Sequence, residues 1–189
     1  MATAQTPSPN PVRQAWLDRW QEPIIDPELP IVDPHHHLWD RPGWRYLLDE
    51  LLADLNSGHR IVATVFLQCR AMHRADGPEA LRPVGETEFV NGVAAMSASA
   101  GYGPIAICAG IVGHADLRLG TEVDAVLAAH QRAGGGRFRG IRHGAARSAA
   151  IPLAPTAPPP AEFGNAAFRA GFARLAAHSL SFDAWLYLW

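Results

Sequence analysis

The stretch Ile31-Val32-Asp33-Pro34-His35-His36-His37-Leu38-Trp39-Asp40 decides how the rest of the chain is read. An apolar pair leads into it, and Ile31 to His37 reads as a strand. Side chains two residues apart on a strand share a face. Asp33, His35 and His37 therefore fall on one face, and Val32, Pro34 and His36 on the other. Two imidazoles side by side at a strand end are the usual start of a divalent-metal site. The competing interpretation is a polar strand end with solvated rings. His36, out of phase with its neighbours, reads as a packed or surface histidine.

Outward from that strand, the elements alternate. Trp44 to Leu55 predicts a helix, with Leu47, Leu48, Leu51, Leu52 and Leu55 at helical spacing. Ile61 to Cys69 is a near-continuous apolar run rich in β-branched residues, as a strand buried on both faces should be. Glu86 to Ala100 predicts a helix, Ile105 to Gly113 a strand, and Thr121 to Ala133 a helix stopped by Gly134-Gly135-Gly136. Phe138 to His143 is a fourth strand, Asn165 to His178 a helix with Asn165 as its N-cap, and Ser181 to Tyr187 a fifth strand. Alternating strand and helix imply a parallel sheet with crossover helices. Residues 1–30 form a polar, proline-rich arm with an amphipathic segment, Arg13 to Trp20, placed to cap one end of the domain over residues 31–189. Ile151 to Gly164 carries five prolines and leaves the C-terminal end of a strand, where a lid or a plain surface excursion both fit.

Bulk composition narrows the function. The 189 residues are 48% hydrophobic and 18% charged, with a formal net charge of -2, ordinary for a soluble domain. No basic surplus exists to neutralise phosphates, which argues against nucleic acid as partner. Cys69 and Cys108 form no CxxC pair and read as buried reduced thiols. No secretory signal is visible at the N-terminus. Val90 to Gly113 lacks charge, but Asn91, Pro104 and its glycines break it into two elements rather than a membrane span. A cytoplasmic protein acting on a small molecule is the default.

Other candidate site residues cluster after strands. Arg142 has the planar fork that suits a carboxylate, and His143 is a proton carrier near neutral pH. Strand alternation sends these two in different directions unless the strand ends before them. Gln68 closes the second strand and could hold substrate; Asp183 in the fifth could support a histidine or substrate. His114 and Asp116 follow the third strand. Glu86 and Glu88 open a helix, where the dipole alone favours acids.

At these residues a family resemblance enters. Asp33-Pro34-His35-His36-His37-Leu38-Trp39-Asp40 resembles the opening motif of the amidohydrolase-related (amidohydrolase 2) family. Arg139-Gly140-Ile141-Arg142-His143 and Ser181-Phe182-Asp183-Ala184-Trp185-Leu186-Tyr187 resemble its lactonase-like branch, which hydrolyses sugar-acid lactones and a pyrone dicarboxylate. The resemblance implies a TIM-type (β/α)₈ barrel in which His35 and His37 hold a divalent ion, usually zinc. Some lactonase members work without metal. It places Arg142 and His143 in a substrate-binding region. Such a barrel needs eight strands and roughly 250 residues, and five βα units are counted here. The family's later histidine and its final-strand aspartate, the base, have no counterpart. The expectation is an α/β partial barrel, the N-terminal part of a hydrolase, with little activity of its own. Its open sheet edges would invite pairing with a second copy. A non-catalytic half-barrel binding metal or a partner chain is the alternative, as is a decarboxylase or hydratase of the same family.

Overall fold

The computed structural model describes residues 13–148 and 158–187. In chain order the elements are α1 (Gln14–Leu17), β1 (Ile31–His36), β2 (Trp39–Arg41), β3 (Trp44–Tyr46), α2 (Leu48–Leu55), β4 (Ile61–Leu67), α3 (Val84–Ala98), β5 (Ala106–Gly113), α4 (Val123–Ala133), β6 (Phe138–Arg142), α5 (Ala166–Ala177) and β7 (Ser181–Asp183). Five strands make one parallel sheet in the order β1-β4-β5-β6-β7. Each strand pairs with the next one delivered by a crossover, so the sheet sweeps one way and curls into a half-barrel. Pro34 lies in β1, the sheet's edge, the one strand position where a missing N–H costs little.

Parallel strands need long connections, and helices supply them. The apolar stripes of α2 to α5 close over one face of the sheet. Leu51, Phe66, Ile111, Leu127 and Ile141 are all 2% exposed or less. Local signals set the helix ends. Asn165 Oδ1 accepts the Phe168 N–H at 3.1 Å and caps α5. The Leu47 N–H is taken by Glu50 Oε2 at 2.8 Å at the start of α2. Helix α4 closes with the Gly134 N–H on the His130 carbonyl, and Gly135 and Gly136 then turn at φ 56° and 82°, a conformation glycine adopts without strain.

Several sequence expectations are corrected. The helix predicted over Trp44–Leu55 begins only at Leu48; Trp39–Arg41 and Trp44–Tyr46 pair instead as an antiparallel hairpin around Pro42-Gly43. Gly43 takes φ 75°, and the three aromatic rings of the hairpin pack on one another. The fifth strand is three residues long, not seven. Among the described residues the segment Arg13–Trp20 packs no side chain into the domain: its helix has no buried residue, and Trp20 is 76% exposed. Half of the proline-rich stretch, residues 151–157, lies outside the described residues. Val90–Gly113 divides into the end of α3 and strand β5, and among the described residues no helix is long and apolar enough to cross a membrane. Both cysteines are free, Cys108 buried and Cys69 half-buried.

Two glycines test this packing in opposite directions. A Cβ on Gly171 would run into the Leu117 backbone, whereas a Cβ on Gly92, on the outer face of α3, would meet nothing within 4 Å. Gly171→Ala should destabilise the chain by roughly 1–3 kcal/mol. Gly92→Ala should stabilise it by about 0.5–1 kcal/mol through helix propensity. Urea unfolding of both variants checks the pair; equal shifts would contradict this packing of α5.

Candidate active site

Because the five strands run parallel, their C-terminal ends meet at one edge. A cleft of about 1340 Å³ opens there, lined among others by His35, His37, Gln68, Arg70, His73, His114, Arg142, His143 and Glu162. Every site residue expected from the sequence except Asp183 borders it directly, and Asp183 reaches it through Arg142.

At the end of β1 the alternation sorts three consecutive histidines. His36 turns under the sheet, where its Nε2 meets Thr64 Oγ1 at 2.9 Å; burial lowers its pKa to about 4. His35 and His37 share the other face, with ring nitrogens Nε2 and Nε2 3.3 Å apart. The Asp33 carboxylate accepts the His35 backbone N–H at 3.0 Å and shapes the strand end. The His37 Nδ1–H donates to the Leu67 carbonyl at 2.7 Å, which leaves Nε2 as a bare lone pair. Trp39 stacks on the ring at 5.7 Å. Burial lowers the His37 pKa, so the ring is neutral at pH 7.

This pair fits a divalent ion in two respects. Two imidazole nitrogens on one tetrahedral zinc, each about 2.0–2.1 Å from it, stand roughly 3.3–3.4 Å apart. The Leu67 carbonyl on Nδ1 is the outer bond that metal-bound histidines use to fix their tautomer. Two lone pairs at this separation repel, so something electron-poor, a proton or a cation, belongs between them. The described residues hold no cluster of three or more metal-binding side chains. The pair itself offers two nitrogen donors.

Beside it stands Arg142, buried at the end of β6. Its Nε donates to Asp183 Oδ1 at 2.7 Å, and its Nη2 lies 3.4 Å from both Asp183 Oδ2 and His35 Nε2. Asp183 thus aims the guanidinium at β1 and offsets its charge.

His143, the next residue, points elsewhere because β6 has ended. Its Nδ1 accepts the Leu117 N–H at 3.2 Å, which leaves the proton on Nε2, 3.2 Å from Glu162 Oε1. Burial, then the neighbouring His114, lowers its pKa to about 4. Glu162 is buried within 3.5 Å of Arg118, which also holds Asp116 in a two-pronged bond. His114 donates Nδ1–H to the Arg142 carbonyl at 3.0 Å. Sequence reasoning missed Glu162, since nothing local announces that a residue in a proline-rich loop is buried against the histidine just after β6.

The helix dipole alone accounts for an acid at Glu86, but the structure gives it more to do. It is 1% exposed, and its Oε1 accepts both the Cys69 and Ala71 N–H groups at 2.9 and 2.8 Å. Burial raises its pKa against those bonds. Gln68 is buried with its Oε1 unbonded.

The imidazoles make a pH prediction. His130 of α4 is fully buried, bonded to Thr87 Oγ1 and the His114 carbonyl, and burial lowers its pKa to about 4, like that of His143. In the unfolded chain both rings charge near 6.5. Between these values the unfolded state binds more protons, so stability is full above pH 6.5 and is lost as the pH falls toward 4. The ring resonances of His130 and His143 in NMR should titrate near pH 4; titration near 6.5 would contradict their burial.

Known proteins add little to this geometry. No family model matches the chain, and no solved structure matches it. A curated relative, the uncharacterized protein y4mH of Sinorhizobium fredii (strain NBRC 101917 / NGR234), is 29% identical over 191 aligned positions, covering 86% of this chain and 55% of the relative. The chain therefore spans about half the length of the curated relative it matches.

Proposed function

We propose that the cleft is the active site of a hydrolase of the amidohydrolase-related type, opening a lactone or related cyclic ester of a sugar acid or dicarboxylate. The fold in this reading is the first five units of a TIM-type barrel, whose strand ends carry catalytic groups. The observation that carries the proposal is the 3.3 Å approach of His35 and His37 Nε2 at the C-terminal edge of a parallel sheet. A divalent ion, zinc first, would be held by these two nitrogens and would supply Lewis acidity and a bound water of lowered pKa.

The remaining steps belong to the chain's own groups. Arg142 spends Nε on Asp183, and its Nη1 is left to hold a substrate carboxylate or the lactone carbonyl. Asp183 keeps the fork aimed. Gln68 follows β4, next to β1, and borders the cleft with its side-chain oxygen unbonded. His143 is neutral at pH 7, and its Nε2–H is held 3.2 Å from the buried Glu162 carboxylate, at the wall of the cleft. Asp183 is engaged by Arg142 and Asp33 by the His35 backbone N–H, so neither of these carboxylates is a free base for the water. Acid–base help is worth about 10²–10⁴-fold, and the chain is expected to open lactones slowly.

The test is zinc uptake by equilibrium dialysis together with acid release from a lactone panel. His35→Ala and His37→Ala should each weaken zinc binding roughly tenfold or more, on the scale of lost ligand support. Arg142→Met should abolish the slow ring opening while leaving zinc bound. Zinc uptake and ring opening both unchanged in the double histidine variant would contradict the proposal.

A further inference from the structure

The loop joining β4 to α3 is built at a cost that packing does not explain. Arg70 and Met72 both take the left-handed backbone region, at φ 65° and 51°. For non-glycine residues this costs on the order of 1 kcal/mol each. A buried carboxylate holds them there: Glu86 Oε1 takes the N–H groups on either side of Arg70, and Glu86 Oε2 has no hydrogen-bond partner. Gly85 lets the start of α3 press on the loop, since a Cβ there would lie 2.6 Å from the Met72 carbonyl oxygen.

What this brace presents is an arginine without an acid. The other arginines of the cleft are engaged: Arg118 on Asp116, Arg142 on Asp183, Arg41 on the Cys69 carbonyl and the Trp39 face, and Arg82 on the Gly77 carbonyl. Arg70 has no carboxylate partner among the described residues, yet it lines the cleft, and its charge bears on His73, His114 and His143. Gln68 lies two residues before it, 8% exposed, with an unbonded side-chain oxygen enclosed at the same wall. Such an amide turns either its oxygen or its NH₂ to a ligand.

We propose that Arg70 and Gln68 form an oxyanion subsite on the β4–α3 wall of the cleft, with Glu86 as its positioning residue. It takes a carboxylate or phosphate group, distinct from the group held by Arg142. The inference rests on the cleft being a ligand site and makes its ligand doubly anionic.

Isothermal titration of the whole chain with malonate, and separately with inorganic phosphate, tests it. Arg70→Gln removes a charge-assisted bond and should weaken the preferred probe roughly tenfold. Glu86→Gln, which touches no ligand, should weaken it in the same direction with the far-ultraviolet circular dichroism unchanged. Tighter malonate assigns a carboxylate, and tighter phosphate assigns a phosphate. Should Glu86→Gln fail to fold, the exposed Arg70 decides the matter alone. Binding of either probe that is equal in wild type and Arg70→Gln, or no binding of both, overturns the subsite. Zinc uptake read on the same samples separates the two proposals: anion binding that depends on Arg70 without zinc uptake keeps the subsite and removes the hydrolase reading.

Discussion

The bond from His37 Nδ1 to the Leu67 carbonyl, 2.7 Å long, joins the end of β1 to the end of β4. At that point the fold and the chemistry of the cleft are one constraint. Leu67 is the last residue of its strand, so its carbonyl is free to accept a side chain. Accepting this one fixes the ring's tautomer and its orientation together. The Nε2 lone pair then has a single direction, toward His35. A parallel register between β1 and β4 is what brings the carbonyl within reach. A slip of one residue would turn every side chain of β1 to the other face and replace this pair with His36.

The opposite face shows what that alternative would cost. His36 sits among Thr64, Phe66 and Cys108, and Thr64 Oγ1 also accepts the N–H of Cys108 at 2.9 Å. That second bond holds β5 where Cys108 takes φ 54° and the register with β4 shifts. Burial pushes the Cys108 thiol up to about 12 and the His36 ring down to about 4, so both are neutral, unreactive packing groups. Two adjacent histidines thus differ in exposure and partner through strand alternation alone.

Much of this was legible in the sequence because it is local. Alternation over Asp33–His37 gave the shared face, β-branched runs gave β4 and β5, and Asn165 and Gly134-Gly135-Gly136 marked helix ends. The hairpin at Trp39–Tyr46 was not legible, because the leucines beginning at Leu47 extend a helical pattern back across a Pro-Gly turn. The strand after α5 was overestimated because Trp185 and Tyr187 continue the alternation beyond the last paired residue. Glu86 and Glu162 were missed for a shared reason. A carboxylate in a helix's first turn or in a proline-rich loop is ordinarily solvated, and only tertiary contacts with the β4–α3 loop or with His143 reveal otherwise.

The cleft divides into two walls, one of β1 and β6 built around paired imidazoles and an aimed guanidinium, the other of the β4–α3 loop and the β5 and β6 ends built around buried carboxylates. The central claim concerns the first wall, and zinc K-edge X-ray absorption on the zinc-loaded chain tests it most directly. The account predicts two imidazole scatterers on the bound ion, one lost with His35→Ala and both lost with the double variant. An imidazole count that stays the same when His35 and His37 are both replaced would contradict it.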